Sequence, residues 1–197
     1  MTSSFALRDS VASQIDWWWH ALFRRRLKGL TDDELWWAPV DDAWTLHLGD
    51  DGEHRYEWPP GSMGEATPPF TTLAWRLCHL SIMAMAHWAL LFEGTPNGGE
   101  VAMTMTFPST ADEAVALTDE WWTRWRAGID RLDDDALRRP ISETSWCGEL
   151  SDGTSIMKLG PDDPAMNFVL HQHRELVHHG AEISLLRDLY RSTKGTP

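Results

Sequence analysis

Residues 67–92 limit the possible folds of this chain more than any other stretch. Pro68 and Pro69 suit a first helical turn and Gly94 suits a stop, so the stretch is predicted to form one helix. Apolar residues lie on almost every side of that helix: Leu73, Trp75, Leu77, Leu80, Ile82, Met83, Met85, Trp88, Leu90 and Leu91. A helix that is apolar all round is buried by its neighbours. We therefore expect this helix to lie inside a helical bundle.

Three further helices are predicted from their apolar period and their boundary residues. Residues 110–113 form a capping box, and Asp163-Pro164 pairs an N-cap with a first-turn proline. Together with the buried helix, these helices cover about residues 4–28, 67–92, 110–132 and 163–190. A shorter helix through Trp37 follows the capping box at residues 31–34. The predicted fold class is all-α, a four-helix bundle with two long irregular connections.

The connections contain most of the proline and glycine. Residues 38–66 and 133–163 are predicted to be irregular, and residues 94–110 are predicted to form a loop. Within the first connection, residues 44–48 alternate in polarity before Asp51-Gly52, which predicts a short hairpin strand. We expect the loops at 38–66 and 135–163 to form the walls of any pocket.

The two halves of the chain resemble each other at an offset of 102 residues. Residues 30–35, LTDDEL, correspond to residues 132–137, LDDDAL. The pairs Trp44 and Trp146, Leu48 and Leu150, and Asp50 and Asp152 match at the same offset. This pattern predicts an internal repeat of helix, short capped turn, Trp-bearing loop and helix. The closing helices of the two copies would occupy equivalent places and face each other across the core.

Composition limits the class of protein. The length suggests a single domain spanning residues 1–197. The net charge of −13 argues against nucleic acid or an anionic membrane surface as a partner. No apolar run is long enough for a membrane span, and the first residues lack the apolar core of a signal peptide. Two cysteines in a chain of this size do not require disulfides, so we expect a reduced, cytoplasmic protein.

Several ionisable residues lie close together on the last predicted helix. Residues 169–191 have the apolar spacing of an amphipathic helix and carry four of them: His171, Glu175, His178 and His179. Because residues four apart on a helix are neighbours, Glu175 and His179 project side by side, and His171 lies one turn earlier. A carboxylate and an imidazole at this spacing can hold one divalent metal ion, with a third ligand from another element.

His79, in the middle of the buried helix, is the candidate for that third ligand. A buried imidazole needs a hydrogen-bond partner or a metal, because burial without one is costly. Taken alone, His79 is more often a hydrogen-bonded core residue, and a lone Glu/His pair is more often a helix-surface interaction. Taken together, two imidazoles and a carboxylate from two helices of a bundle leave coordination positions open, as in catalytic zinc sites.

These residues belong to two motifs that resemble a known family. Residues 171–183 read H-x3-E-x2-H-H-G-x-E-I, which is similar to the last-helix motif H-x3-H-x2-H-H-R-G-Q-[IV] of the DinB-like superfamily of four-helix metalloproteins. Residues 69–80, PFTTLAWRLCHL, resemble the second helix of that superfamily, whose His is the first metal ligand. The helix layout is similar over nearly the whole chain. The resemblance implies a metal site formed by His79, Glu175 and His179.

This chain departs from the family motif at two places. Glu175 stands where most members have His, and a His/Glu/His set resembles the mycothiol-dependent maleylpyruvate isomerase branch, whose metal is zinc. The residues after the third ligand are G-A-E rather than R-G-Q, and His178 is the alternative to His179 as that ligand. His171 and Glu182 are expected to support the ligands, Glu182 by a hydrogen bond to a ligand imidazole.

The resemblance implies thiol chemistry as the leading function. We expect a metal-dependent thiol S-transferase or isomerase that acts on a small molecule and uses a low-molecular-weight thiol, with mycothiol preferred to bacillithiol. The metal is expected to be zinc, with nickel as an alternative, and it would lower the pKa of a bound thiol or water. Many members of the superfamily are dimers, so a homodimer is expected.

Two other functions stay open from the sequence. One is a non-catalytic DinB-like protein that is stress-associated or binds a small molecule. The other is metal-dependent hydrolysis, with Glu175 or Glu182 as the general base. The sequence contains no Gly-rich phosphate loop, no G-x-S-x-G nucleophile elbow and no basic stripe.

Overall fold

The computed structural model describes residues 6–57, 70–95, 97–145 and 159–195. Helix α1 has three consecutive segments, Leu7–Trp17, Trp18–Phe23 and Arg24–Arg26, and is followed by the short helix α2, Asp32–Leu35. Helix α3 also has three segments, Leu73–Cys78, His79–Ala86 and His87–Phe92. The remaining helices are α4 (Gly98–Thr104), α5 (Ala111–Asp130), α6 (Asp134–Arg138) and α7 (Ala165–Lys194), with a 3₁₀ turn at Ile141–Glu143.

The long helices α1, α3, α5 and α7 form the bundle. Helix α3 packs against α5 and α7, and α1 packs against the same two helices. Helix α4 covers a further side of α3, so the predicted apolar helix is buried over most of its length. The all-α bundle predicted from the sequence is therefore confirmed. Within the described ranges, every helix is too short or too polar to cross a membrane.

Two of the long helices contain π-helical turns. These turns span Trp18–Phe23 in α1 and His79–Ala86 in α3. A π turn moves the backbone hydrogen bond to the carbonyl five residues earlier, and such turns are frequent at functional sites. The turn in α3 begins at the candidate ligand His79, so the helix changes its winding where the site is formed.

The two halves of the chain cap each other's first helices. The Asp134 carboxylate accepts hydrogen bonds from the amides of Leu7 (2.9 Å) and Arg8 (3.0 Å) at the start of α1. Asp32, which is 102 residues earlier, accepts one from the Ala111 amide (2.7 Å) at the start of α5. This reciprocal capping is consistent with the predicted repeat of a helix followed by a capped turn. Three of the predicted matches lie outside the described residues: Trp146, Leu150 and Asp152.

The connections hold more regular structure than the sequence indicates. Strands β1 (His47–Leu48) and β2 (His54–Arg55) form an antiparallel hairpin, which confirms the predicted strand in a shorter form. Strand β3 (Thr106–Phe107) pairs with β2. The prediction of a loop at residues 94–110 is therefore wrong, because this stretch contains α4 and β3. Helix α4 opens with two glycines, which are poor helix formers, and β3 depends on a distant partner strand.

Helices α2 and α3 both begin after a threonine N-cap, and each has one boundary that differs from the predicted one. Helix α2 is capped by Thr31 as predicted but ends at Leu35 rather than Trp37. The prediction that α3 begins at the prolines is wrong, because α3 begins at Leu73 and Thr72 is its N-cap. The residues just before Thr72 are extended instead, since the Thr72 amide bonds to the carbonyl of Trp44 at 2.7 Å. Residues 58–69 lie outside the described part of the chain.

Helix α7 is longer than predicted and begins differently. Pro164 is the N-cap, and the helix runs on to Lys194 rather than ending near residue 190. The Asp163 side chain does not cap α7 but accepts a hydrogen bond from the Gly160 amide at 2.6 Å. Asp163 therefore shapes the chain that leads into α7.

Stacked aromatic rings fill the bundle core. Trp19 of α1 stacks on Trp122 of α5 with ring centroids 4.2 Å apart. Trp88 of α3 contacts Phe168 of α7 at 4.0 Å. Trp17 differs from its neighbours in sequence because it is 62% exposed. These tryptophans therefore pack α1 against α5 and α3 against α7.

A buried ion pair joins α7 to α2. Arg187 has no solvent exposure, and its guanidinium donates hydrogen bonds of 2.6 and 2.8 Å to the Glu34 carboxylate. It also donates to backbone carbonyls at the end of α1, those of Arg26, Lys28 (3.3 Å) and Gly29 (3.1 Å). Carbonyls at a helix C-terminus have no partner within the helix. Arg187 therefore satisfies several buried acceptors at once.

Arg187→Met is expected to destabilise the protein by about 3–5 kcal/mol, because the Glu34 carboxylate would stay buried without its charged donor. Arg191→Met is the matched control, since Arg191 is partly exposed and lies 4.0 Å from Glu34. An exposed pair of this kind contributes up to about 1 kcal/mol. Urea unfolding of both variants measures the difference. Equally small losses would show that Arg187 does not anchor α7.

Gly180 lets α1 and α7 approach each other closely. A Cβ atom at Gly180 would lie 2.3 Å from Cζ2 of Trp18 and 3.0 Å from Cδ2 of Phe23. These two buried rings stack on each other with centroids 4.8 Å apart, so neither can turn away easily. Gly180 directly follows His179, and the contact therefore fixes α7 beside the candidate ligands.

Gly180→Ala is expected to destabilise the protein by about 1–3 kcal/mol, because overpacking outweighs the gain in helix propensity. Gly160→Ala is the control, since the nearest side-chain atom to a Cβ at Gly160 is 3.6 Å away. Its effect should stay within about 0.5 kcal/mol. Thermal unfolding compares the two variants, and a Gly180→Ala variant more stable than the parent would contradict the close packing.

Candidate metal centre

Helices α3 and α7 bring together the residues that the sequence motifs single out. His79, Glu175 and His179 each offer a ligand atom, and these atoms all lie within 4.8 Å of one another. Oε2 of Glu175 and Nε2 of His179 are 3.3 Å apart on successive turns of α7. The ring of His79 approaches from α3, with its centroid 4.6 Å from that of His179 and the planes at 84°. The three predicted residues are therefore neighbours in the fold.

Aromatic residues hold the ring of His79. Its Nδ1 atom lies 2.9 Å from the Tyr56 hydroxyl, and its ring stacks on Trp75 with centroids 5.3 Å apart and planes 3° apart. Burial lowers the pKa of His79 to about 3, and the positive charges of His179 and Arg76 act in the same direction. His79 is therefore neutral at physiological pH, which is the state that a metal requires of a histidine ligand.

The two ring nitrogens of His179 face different carboxylates. Nδ1 lies 2.6 Å from Oε2 of Glu182, whereas Nε2 faces Glu175. Burial lowers the pKa of His179, but hydrogen bonds to Glu175 and Glu182 outweigh this effect and raise the pKa overall. The hydrogen bond with His179 lowers the pKa of Glu175 to about 2. With Nδ1 donating to Glu182, Nε2 has the orientation and the lone pair that metal binding needs.

Arg76 keeps Glu182 in the charged form. Its Nε atom lies 3.2 Å from Oε2 of Glu182, and its guanidinium lies over the ring of Trp75 at 5.1 Å from the centroid. Burial alone would raise the pKa of Glu182, but the hydrogen bond with His179 and the charge of Arg76 lower it below its usual value. An ionised Glu182 orients the imidazole of His179 and increases its basicity.

A second group of potential ligands overlaps the first. His178, His179 and Glu182 also have ligand atoms within 4.8 Å of one another. The side chain of His178 is 64% exposed, and its Nε2 atom lies 3.5 Å from Oε1 of Glu182. Because His178 points to solvent and His79 is enclosed between helices, the geometry favours the set that contains His79.

His171 lies one turn before Glu175 and contacts it, as the helical spacing predicts. Nε2 of His171 is 3.7 Å from Oε1 of Glu175, and Nδ1 accepts a hydrogen bond from the guanidinium of Arg174. Burial lowers the pKa of His171. The next histidine on the helix, His173, faces away from the site and packs edge-on against Trp125 of α5.

Three residues that contact the site are missed by the sequence reasoning. Trp75 and Arg76 lie four and three residues before His79, so helical spacing is a signal that indicates them. Tyr56 comes from the first connection, and no local pattern places it near His79. Other histidines pack against tryptophans elsewhere: His20 on Trp122, His54 on Trp36, and His87 on Trp88.

The donor set suits a divalent transition metal. Two imidazoles and one carboxylate are the protein ligands of many catalytic zinc sites, which leave one position open for water or substrate. His79 and Glu175 are deprotonated at neutral pH, which is the state that metal binding requires of both ligands. The charges and the geometry of these residues thus fit such an ion.

Fold and site together define a four-helix bundle with a candidate His/Glu/His centre between α3 and α7. The family model of the DinB superfamily matches residues 14–183, a range that includes His79, Glu175 and His179. The chain therefore belongs to the DinB superfamily, as the motif resemblance indicates. No match was found among the curated proteins or among the solved structures.

Glu182→Leu is expected to weaken zinc binding about 10–100-fold, because His179 would lose the hydrogen bond that fixes its tautomer. Competition with a chromophoric chelator measures the affinity. His178→Ala is the companion variant and should leave the affinity unchanged, since His178 is exposed and lies outside the favoured set. A large loss in His178→Ala would instead favour the set of His178, His179 and Glu182.

Proposed function

We propose that this DinB-superfamily protein is a metal-dependent thiol S-transferase or isomerase that uses a low-molecular-weight thiol such as mycothiol. The observation that carries the proposal is the partly buried set of His79, Glu175 and His179, in which a carboxylate replaces one histidine of the common motif. The metal is zinc, with nickel as the alternative. When bound, it would lower the pKa of a thiol or water so that a nucleophile forms at neutral pH.

The surrounding residues would hold this centre in place. Tyr56 and Trp75 fix the ring of His79, and Glu182 fixes the tautomer of His179. Trp44 joins this group, with its ring centroid 5.9 Å from that of Trp75. The resulting aromatic cluster of Trp44, Tyr56 and Trp75 limits water access from the side of α3, which strengthens electrostatic interactions at the site.

The electrostatics favour thiol chemistry over hydrolysis with a glutamate as general base. A general base works best when its pKa lies near the operating pH. The pKa of Glu175 is lowered to about 2 and that of Glu182 is lowered below its usual value. Both carboxylates are also engaged with His179. They are therefore better suited to hold and orient a ligand than to accept a proton from water.

Metal analysis of the purified protein tests the site. We expect the parent to retain zinc through dialysis and both His79→Ala and Glu175→Ala to lose it, because each removes one of three ligands. His20→Ala is the control, since His20 is an exposed residue of α1 that packs against Trp122. A parent without metal above background, together with unchanged zinc uptake in the variants, would contradict the assignment.

Conjugation of mycothiol to monochlorobimane tests the chemistry. We expect adduct formation that depends on added metal, is abolished by Glu175→Ala and is kept in His20→Ala. A panel of further electrophiles extends the assay, because the bimane is only one acceptor. Rates equal to the uncatalysed reaction throughout the panel, with metal bound, would favour the non-catalytic DinB-like alternative.

A further inference from the structure

A surface pocket lies beside the candidate centre on α7. It encloses about 310 Å³ and is lined by Leu159, Asn167, Leu170, His171 and Arg174. His171 belongs both to the pocket and to the surroundings of the centre, because its Nε2 atom is 3.7 Å from Oε1 of Glu175. The pocket and the candidate ligands are therefore contiguous along the helix.

The pocket lining combines a cation and two further polar residues with two leucines. None of the five lining residues that the structure describes is acidic, and Arg174 carries a permanent positive charge. The side chain of Arg174 is 66% exposed, so most of its guanidinium faces solvent. A planar guanidinium pairs with a carboxylate through two parallel hydrogen bonds.

Two carboxylates near the pocket, in the part of the chain that the structure describes, have other partners. Asp163 accepts hydrogen bonds from the Gly160 amide at 2.6 Å and from the Asn167 side chain at 3.5 Å. Oε1 of Glu175 lies 4.0 Å from Nε of Arg174, but Glu175 belongs to the candidate ligand set. Arg174 also donates to Nδ1 of His171 through one terminal nitrogen. Its solvent-facing side is therefore the part that can receive an external anion.

We propose that this pocket binds the carboxylate of a small acidic molecule that reacts at the centre. Arg174 pairs with the carboxylate, the Asn167 amide supplies a further donor, and Leu159 and Leu170 contact the carbon chain. His171, which lines the pocket, and Glu175 of the centre lie four residues apart on α7, a rise of about 6 Å along the helix axis. That the molecule reacts at the metal centre depends on the proposed function, whereas the binding of its carboxylate depends only on the pocket.

Saturation-transfer NMR tests the anion site with a matched pair of probes, 3-(methylthio)propionate and its neutral amide. The full-length protein is used both as purified and after chelation, so that binding to a metal is separated from binding to the pocket. We expect the carboxylate to bind about 10-fold more tightly than the amide in both forms, since one charge-assisted pair distinguishes them. Arg174→Gln should remove this preference.

Arg138→Gln is the control for the NMR experiment. Arg138 is exposed to a similar degree, 60%, and lies on α6, where it pairs with Asp134 and Asp135. This variant should keep the preference for the carboxylate. Equal binding of the acid and the amide by the parent, or a preference that survives Arg174→Gln, would overturn the proposal.

Thiol binding to the cobalt-substituted protein tests whether a carboxylate held in the pocket helps the same molecule to bind the metal. The probes 3-mercaptopropionate and 3-mercaptopropanol share a thiol and differ in the carboxylate. We expect both to give a sulfur-to-cobalt charge-transfer band, the acid at about 10-fold lower concentration, and Arg174→Gln to abolish that advantage. No band with either thiol would contradict the proposed function and leave the NMR result standing. Equal half-saturation by both thiols in the parent would disprove the link between pocket and centre.

Discussion

The burial of Arg187 fixes the helix on which the candidate site is built. Its guanidinium joins α7 to Glu34 and to the end of α1, and a charge without solvent exposure is tolerated only when its donors have partners. Close packing at Gly180 adds a second fixed point one to two turns earlier. With two such points α7 cannot slide along α1, so Glu175 and His179 stay in register with the helix opposite.

Electrostatics then decide what these side chains can do. Burial keeps His79 neutral, while hydrogen bonds to Glu175 and Glu182 raise the pKa of His179 above its usual value. The positive charge of Arg76 balances the negative charge of Glu182. Glu175 is then the carboxylate that faces the space between the imidazoles of His79 and His179. The replacement of a family histidine by Glu175 therefore alters the charge of the site more than its position on the helix.

Local patterns in the sequence were sufficient for the long helices and for the pairing of Glu175 with His179, because helical period and spacing are short-range properties. His79 lies on another helix, and the motif resemblance rather than a local pattern indicated that it joins them. Contacts that depend on distant docking were not accessible. Tyr56 reaches His79 only because β2 is placed by its pairing with β3. The burial of Arg187 depends on α2 packing beside it, and no residue preference marks the π turn that begins at His79.

Each half of the chain supplies the capping residue for the first helix of the other half, and this makes the two halves depend on each other. The carboxylate of Asp134 accepts hydrogen bonds from amides at the start of α1, and that of Asp32 accepts one at the start of α5. Each half of the chain therefore caps the first helix of the other half. Separated halves would each expose amide groups that need an acceptor. The two halves are therefore interdependent, because each supplies the acceptor for amides at the start of a helix in the other.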